Sequence, residues 1–224
     1  MIDVSRIKGV IFDLGETLIA IPDDQDEDLL IAEYCGLSLQ QIQLMTREIC
    51  WNNKRLSENE FAHQLTVAIC EMGKNCSINE VQNFFERSIV NMIVQCDAMS
   101  TLSALKKVGM KLAVVSNSNP LSHKRLERSG IRPLLDCVLL SCDTGFWKPD
   151  PRAYMCAFDE LQTAAEDMLI VGDRTRTLAL GAIQTGAQIA LLERRTAKAV
   201  VSDQLPFAAM ISDLDELTQF ICKR

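Results

Sequence analysis

The strongest constraint on this chain is a recurring unit: a short apolar run that ends on a polar residue and leads into a helical pattern. Residues 8–13 (Lys-Gly-Val-Ile-Phe-Asp) form the first run and end on Asp13. Residues 111–116 end on Ser116, residues 137–141 on Ser141, and residues 168–173 on Asp173. Weaker runs lie at 188–192 and 208–211. Such runs read as strands buried on both faces. Helical patterns fill 101–108, 121–129, 151–161, 175–185 and 214–222, and Gly109, Gly130 and Gly186 stand where helices should stop. Alternation of this kind predicts an α/β chain, a three-layer Rossmann-like core with a parallel sheet between helices. Ligands of such sheets bind beyond the carboxyl ends of the strands, where Asp13, Ser116 and Asp173 fall.

One stretch breaks the alternation. Ser38-Leu39-Gln40-Gln41, Ser57-Glu58-Asn59-Glu60 and Ser77-Ile78-Asn79-Glu80 each match the capping box that opens a helix. After Ile78, the residues Val81, Phe84, Phe85, Ile89, Met92 and Ile93 recur at helical spacing. The expected organisation is a core built from residues 1–20 and 98–224, with an all-helical cap inserted over 21–97. The Asp-rich run from Pro22 to Asp28 reads as a solvated hinge into that cap.

Composition narrows the function. The chain has 224 residues, 23 Lys and Arg against 30 Asp and Glu, and a net charge of -7. That balance gives no general attraction for nucleic acid or an anionic membrane. No apolar run approaches the roughly 18 residues that span a bilayer, and residues 1–6 lack the character of a signal peptide, so a cytoplasmic protein is expected. Nine cysteines and two histidines show no zinc-ligand spacing and no C-x-x-C pair. Reduced, mostly buried thiols are expected. The scarcity of histidine also argues against a Ser-His or Cys-His nucleophile pair.

The chemistry rests on what a parallel sheet would gather: Asp13, Ser116, Asp173, and Lys148 from Gly145-Phe146-Trp147-Lys148-Pro149-Asp150-Pro151. Two carboxylates at adjacent strand ends suit a hard divalent cation with oxygen ligands, such as Mg²⁺. A hydroxyl and an ammonium beside them suit the remaining oxygens of a phosphoryl group. Singly, each residue reads as a turn, a cap or a solvated charge; their order and placement point to a site. The pattern resembles the haloacid dehalogenase (HAD) superfamily, through Phe12-Asp13-Leu14-Gly15-Glu16-Thr17-Leu18, Val114-Val115-Ser116-Asn117, Lys148-Pro149-Asp150-Pro151 and Val171-Gly172-Asp173-Arg174. That resemblance implies Asp13 as nucleophile, Lys148 as a second catalytic residue that offsets charge on Asp13, Ser116, Asn117 and Lys148 as phosphate-binding residues, and Asp13, the Gly15 carbonyl and Asp173 as Mg²⁺ ligands. It also implies a small phosphorylated metabolite as substrate.

The chain departs from the resembled pattern twice. Phosphatases of that superfamily usually carry a second Asp two residues after the nucleophile, as general acid and base, and Gly15 stands there. The last motif usually continues with a second Asp that supports the metal, and Leu178 stands there. Glu16, beside Gly15, reads as an exposed turn residue rather than a substitute acid. The leading expectation is a weakened phosphatase-type hydrolase. A catalytically impaired binding or regulatory module is the alternative, and 2-haloacid dehalogenation, lacking a recognisable arginine and aromatic pair near Asp13, comes third. Arg152, Arg174 and Arg176 lie near the motifs and read mainly as solvated surface.

Overall fold

A computed structural model describes residues 3–173, 181, 183–194 and 209–222 of the chain. Its centre is a six-stranded sheet made of β1 (Gly9–Phe12), β4 (Lys111–Ser116), β5 (Cys137–Leu140), β6 (Met168–Gly172), β7 (Gln188–Leu192) and β8 (Ala209–Ile211). The order is β5-β4-β1-β6-β7-β8, and each neighbouring pair is parallel. This is the α/β architecture expected from the alternation. β1 and β6 are buried throughout, which explains why they read as unbroken apolar runs.

Successive side chains of a strand leave opposite faces of a sheet, and two cores result. Val10, Phe12, Val114 and Val171 pack on one side with Leu102, Leu105, Leu214 and Leu217. Those leucines belong to α5 (Ala98–Lys107) and α9 (Leu214–Cys222). Ile11, Val115, Ile170 and Ile189 pack on the other side with Tyr154, Phe158 and Leu161 of α8 (Arg152–Leu161). The described residues also include α6 (Leu121–Ser129) and the short α7 (Ser141–Thr144), which follow β4 and β5.

Four helices occupy the stretch that interrupts the alternation: α1 (Glu27–Cys35), α2 (Leu39–Asn52), α3 (Glu58–Glu71) and α4 (Ile78–Val90). They leave and rejoin the core through β2 (Ile19–Ala20) and β3 (Ile93–Val94), which pair antiparallel. The capping boxes at Ser38 and Ser57 form in full. Ser77 makes no side-chain cap bond; burial of Val81, Phe84, Phe85 and Ile89 holds α4 instead, consistent with helices in proteins depending on a packed face. Phe61 of α3 stacks on Phe85 of α4 at 5.5 Å.

Two expectations need correction. The run Pro22 to Asp28 is not a solvated hinge throughout: Glu27 is 4% exposed and ion-paired with Arg125. Four cysteines are buried, three are half-buried, and Cys70 and Cys96 are exposed, all as free thiols. Among the described residues, no helix is long and apolar enough to cross a membrane.

Candidate active site

Register brings the expected residues to one edge. Phe12 pairs with Val114 on one side and Val171 on the other. Asp13 is the next residue of β1, while Ser116 and Asp173 each follow their paired residue by two. Neighbouring strands lie about 4.8 Å apart, so Asp13, Ser116 and Asp173 share the carboxyl rim of three adjacent strands. The Asp13 amide still donates to the Val171 carbonyl at 2.8 Å, which fixes the residue at the strand end.

Lys148 completes the group. Its Nζ lies 2.8 Å from Asp13 Oδ1 and donates to the Val115 carbonyl at 2.9 Å. Lys148 is 5% exposed and Asp13 is 8% exposed, so the ion pair is largely shielded from water. The Leu14 amide donates to the same Asp13 oxygen at 2.7 Å. Asn117 holds the lysine in place: its Nδ2 donates to the Lys148 carbonyl at 2.9 Å, and its Oδ1 accepts the Lys148 amide at 2.6 Å. The Asn117 side chain is therefore engaged in orienting Lys148. Arg152 pairs with Asp150 at 2.6 Å and lies over Phe146, which accounts for it as surface structure. Arg174, Arg176 and Leu178 lie outside the described residues.

The turn after Asp13 is tight. Gly15 bridges to Ile19, and the Glu16 amide donates to the Ile19 carbonyl at 2.8 Å. Glu16 is exposed, with a left-handed φ of 56°. Among the described residues, and apart from its chain neighbours, no heavy atom lies within 4 Å of where a Gly15 Cβ would stand.

A clamp on this turn escaped the sequence. Arg194, just past β7, donates to the carbonyls of Glu16 at 3.2 Å and Thr17 at 3.0 Å. The same guanidinium pairs with Asp97 at 2.8 Å, and Asp97 also accepts the Leu214 amide at 2.9 Å. Burial pushes the Asp97 carboxyl up, but the arginine and the amide outweigh it and hold the group below its ordinary value. Asp97 and Arg194 sit 97 positions apart, and no local pattern joins them.

Between the inserted helices and the strand ends lies a cavity of about 410 Å³. Gly15, Ser116 and Asn117 line its core side, and Asp28, Thr46 and Arg47 its helical side. Trp147 also lines it, with the Arg47 guanidinium 5.8 Å from its ring centroid. Glu27 anchors the wall by accepting from Arg125 at 2.6 Å and Asn119 at 2.9 Å. Burial opposes the Glu27 charge, and Arg125 overcomes it, so the carboxyl stays below its ordinary value. Asp28 has no such partner in balance: burial, then the charges of Glu27 and Asp26, push its carboxyl up to about 8.

Comparison with known proteins bears on this geometry. The family described as haloacid dehalogenase-like hydrolase matches residues 7–184. The (S)-2-haloacid dehalogenase 4A of Burkholderia cepacia is 25% identical over 98% of this chain and 97% of its own. The phosphoserine phosphatase of Thermus thermophilus is 29% identical over 44% of this chain and 40% of its own. A HAD phosphatase structure from Thermococcus onnurineus aligns with a TM-score of 0.67 at 18% identity, covering 96% of this chain and 98% of that one. The match spans Asp13, Ser116, Lys148 and Asp173 alike, and the chain belongs to the haloacid dehalogenase-like hydrolases.

Proposed function

We propose that the protein is a phosphatase-type hydrolase acting on a small, polar phosphorylated metabolite, with helices within residues 21–97 serving as a cap over the strand-end site. The observation that carries this reading is Asp173, which the sheet register sets beside Asp13 at adjoining strand ends. A displacement at carbon has no need of a second carboxylate there, whereas a metal-dependent phosphoryl transfer does.

The donor set fits Mg²⁺, since Asp13, the Gly15 carbonyl and Asp173 offer oxygen alone. Bound there, the ion would neutralise charge on the transferring phosphoryl group. The protein's own groups supply the rest. Lys148 holds the Asp13 carboxylate in place for attack and balances part of its charge. Ser116 and the backbone amide of Asn117 stand ready for phosphoryl oxygens. Asp13 forms a bond to phosphorus as the bond to the leaving oxygen breaks, and water then releases phosphate from Asp13. Gly15 offers no proton to the leaving oxygen, which costs about 10²–10⁴-fold. Substrates with acidic leaving groups lose least, so an acyl phosphate or aryl phosphate should outrun an alkyl phosphate. The cavity of about 410 Å³ and its polar walls favour a compact substrate.

A second reading has its own support. Arg47 over Trp147 at the cavity is an arginine and aromatic pair of the kind missing near Asp13 in the sequence. With the whole-length likeness to a 2-haloacid dehalogenase, it favours attack by Asp13 on carbon with loss of halide. One experiment separates the two: a panel of phosphorylated metabolites with Mg²⁺ and of 2-chloro acids without it, each run beside Asp13→Asn. Phosphate release that needs both Mg²⁺ and Asp13 supports the phosphatase. Chloride release without metal overturns it. No turnover of either class, with beryllofluoride still taken up at Asp13, identifies a binding module instead.

A further inference from the structure

Away from the strand-end rim, α6, α7 and the inserted α2 converge on a group of metal-ligand side chains. His123 Nε2 lies 3.0 Å from Asp143 Oδ2 and 3.1 Å from Oδ1. Cys142 Sγ lies 3.8 Å from Asp143 Oδ1. One ligand atom from each of the three falls within 4.8 Å of the others. In a tetrahedral zinc site, bonds of about 2.0–2.3 Å place neighbouring ligand atoms about 3.3–3.8 Å apart. The measured separations bracket that range, so a small adjustment closes the three around one ion. His123 is exposed and Asp143 half-buried, which leaves an entry from solvent, while Cys142 forms the buried floor.

The helical insertion adds a neighbouring thiol that stands outside the trio. Cys50, near the end of α2, is fully buried. Burial, then the charges of Asp28 and Asp143, push its thiol up to about 12. Cys142 is pushed up by burial and then by Asp143 and Cys50. Burial is the leading cause for both thiols, and Asp143 adds to it. His123 is drawn up by its hydrogen bond to Asp143.

We propose that His123 Nε2, Cys142 Sγ and Asp143 Oδ form a site for a borderline-soft divalent cation such as Zn²⁺, with solvent completing the coordination. Binding trades an S–H for an S–metal bond; the Cys142 thiol proton, and the proton of His123 when it is charged, pass to solvent. The Arg55 amide, just past α2, already donates to the Cys142 carbonyl at 3.0 Å. A metal held by the trio would fasten α6 to α7. His123 lies 20 positions before Asp143, and the fold brings its imidazole to Cys142 and Asp143.

The test uses the full-length reduced protein, titrated with Zn²⁺ against a chromogenic chelator and with Co²⁺ by absorbance. The wild type should bind one equivalent at this site, with a thiolate-to-cobalt charge-transfer band. His123→Ala, Cys142→Ser and Asp143→Asn should each weaken binding by at least about 100-fold. His123→Ala changes an exposed side chain, so its fold, checked by circular dichroism, should persist. Cys76→Ser serves as control, because Cys35, Cys70 and Cys76 gather elsewhere in the insertion. The proposal is overturned by the absence of zinc binding, by binding unchanged in both His123→Ala and Cys142→Ser, or by binding lost in Cys76→Ser. A cobalt spectrum without thiolate bands also overturns it.

Discussion

The strand-end rim and the seam beneath the inserted helices are both polar sites, yet they balance charge in opposite ways. At the rim, Asp13 has Lys148 at 2.8 Å and both are buried together. At the seam, Arg125 answers Glu27 at 2.6 Å, but Asp26, Asp28 and Asp143 share the same neighbourhood as Cys50 and Cys142. The rim is compensated by residues that one sheet delivers. The seam collects more acid than its arginine covers, and its groups come from separate elements. Under the proposed function the rim suits a fixed reaction geometry, and under the proposed cation site the seam suits a ligand that brings positive charge.

The comparison breaks most sharply at Asp13. Asp13→Asn removes the attacking oxygen and should lower turnover by at least about 10³-fold, whichever substrate class proves right. Near-normal steady-state turnover would dissolve the claim that the rim is the reactive region. Gly15→Asp sharpens it next. Among the described residues, nothing beyond the chain neighbours lies within 4 Å of the absent Cβ, so an added Cβ meets no clash with them. The variant should gain at least about tenfold toward alkyl phosphates, toward an upper bound of about 10²–10⁴-fold. An aryl phosphate should gain less, because its leaving oxygen needs no proton. Equal kcat gains on both, or none in a folded variant, count against a missing acid.

The same contrast explains what the sequence could tell. Residues 9–12, 111–116 and 168–172 read as strands because both faces are buried, and parallel pairing then forces Asp13, Ser116 and Asp173 to a common edge. Ser38 and Ser57 announce their helices because a capping box is a four-residue event. Glu27 and Arg125 are 98 positions apart, and neither is apolar, so no periodicity points to their burial. A run of acids resembles solvent-exposed hinge until its partner is placed, which is why Pro22 to Asp28 misleads. Arg47 and Trp147 meet only through tertiary packing. Asn117 shows a further limit: its neighbours mark a strand end, but only the coordinates reveal that its amide is given to the Lys148 peptide.

At the seam, the larger stability effect belongs to Arg125. Arg125→Ala would leave the Glu27 carboxylate buried without its ion pair, and such losses cost about 3–5 kcal/mol. Urea unfolding should show that loss, and Glu27→Gln in the Arg125→Met background should recover much of it. A cost below about 1 kcal/mol for Arg125→Ala would mean that the seam opens to water and that its acids are ordinarily solvated.

The smallest effect is also the most specific to the seam. Asp28 has a carboxyl pKa of about 8 against an ordinary 3.8. Between those values the folded chain keeps a proton that the unfolded chain has lost, so this group makes stability fall as pH rises from about 4 to about 8, and adds no further slope above. Asp26 and Glu27 on the same stretch oppose its charge, while Arg125 on α6 favours it; the nearby Cys50 thiol on α2 is neutral over this range. Asp28→Asn cannot ionise, and it should outlast the wild type at pH 8 by about 1 kcal/mol or more, roughly 2–4 °C in Tm. At pH 4 the two should melt together. Glu27 acts in the opposite direction and in another window, since its lowered pKa removes stability only as pH falls below its ordinary 4.5. Melting curves should be run with a chelator, so that a cation near Cys50 does not supply the charge that Asp28 lacks. A Tm difference that is constant from pH 4 to pH 8 would show that Asp28 ionises freely and that the seam holds no excess of acid.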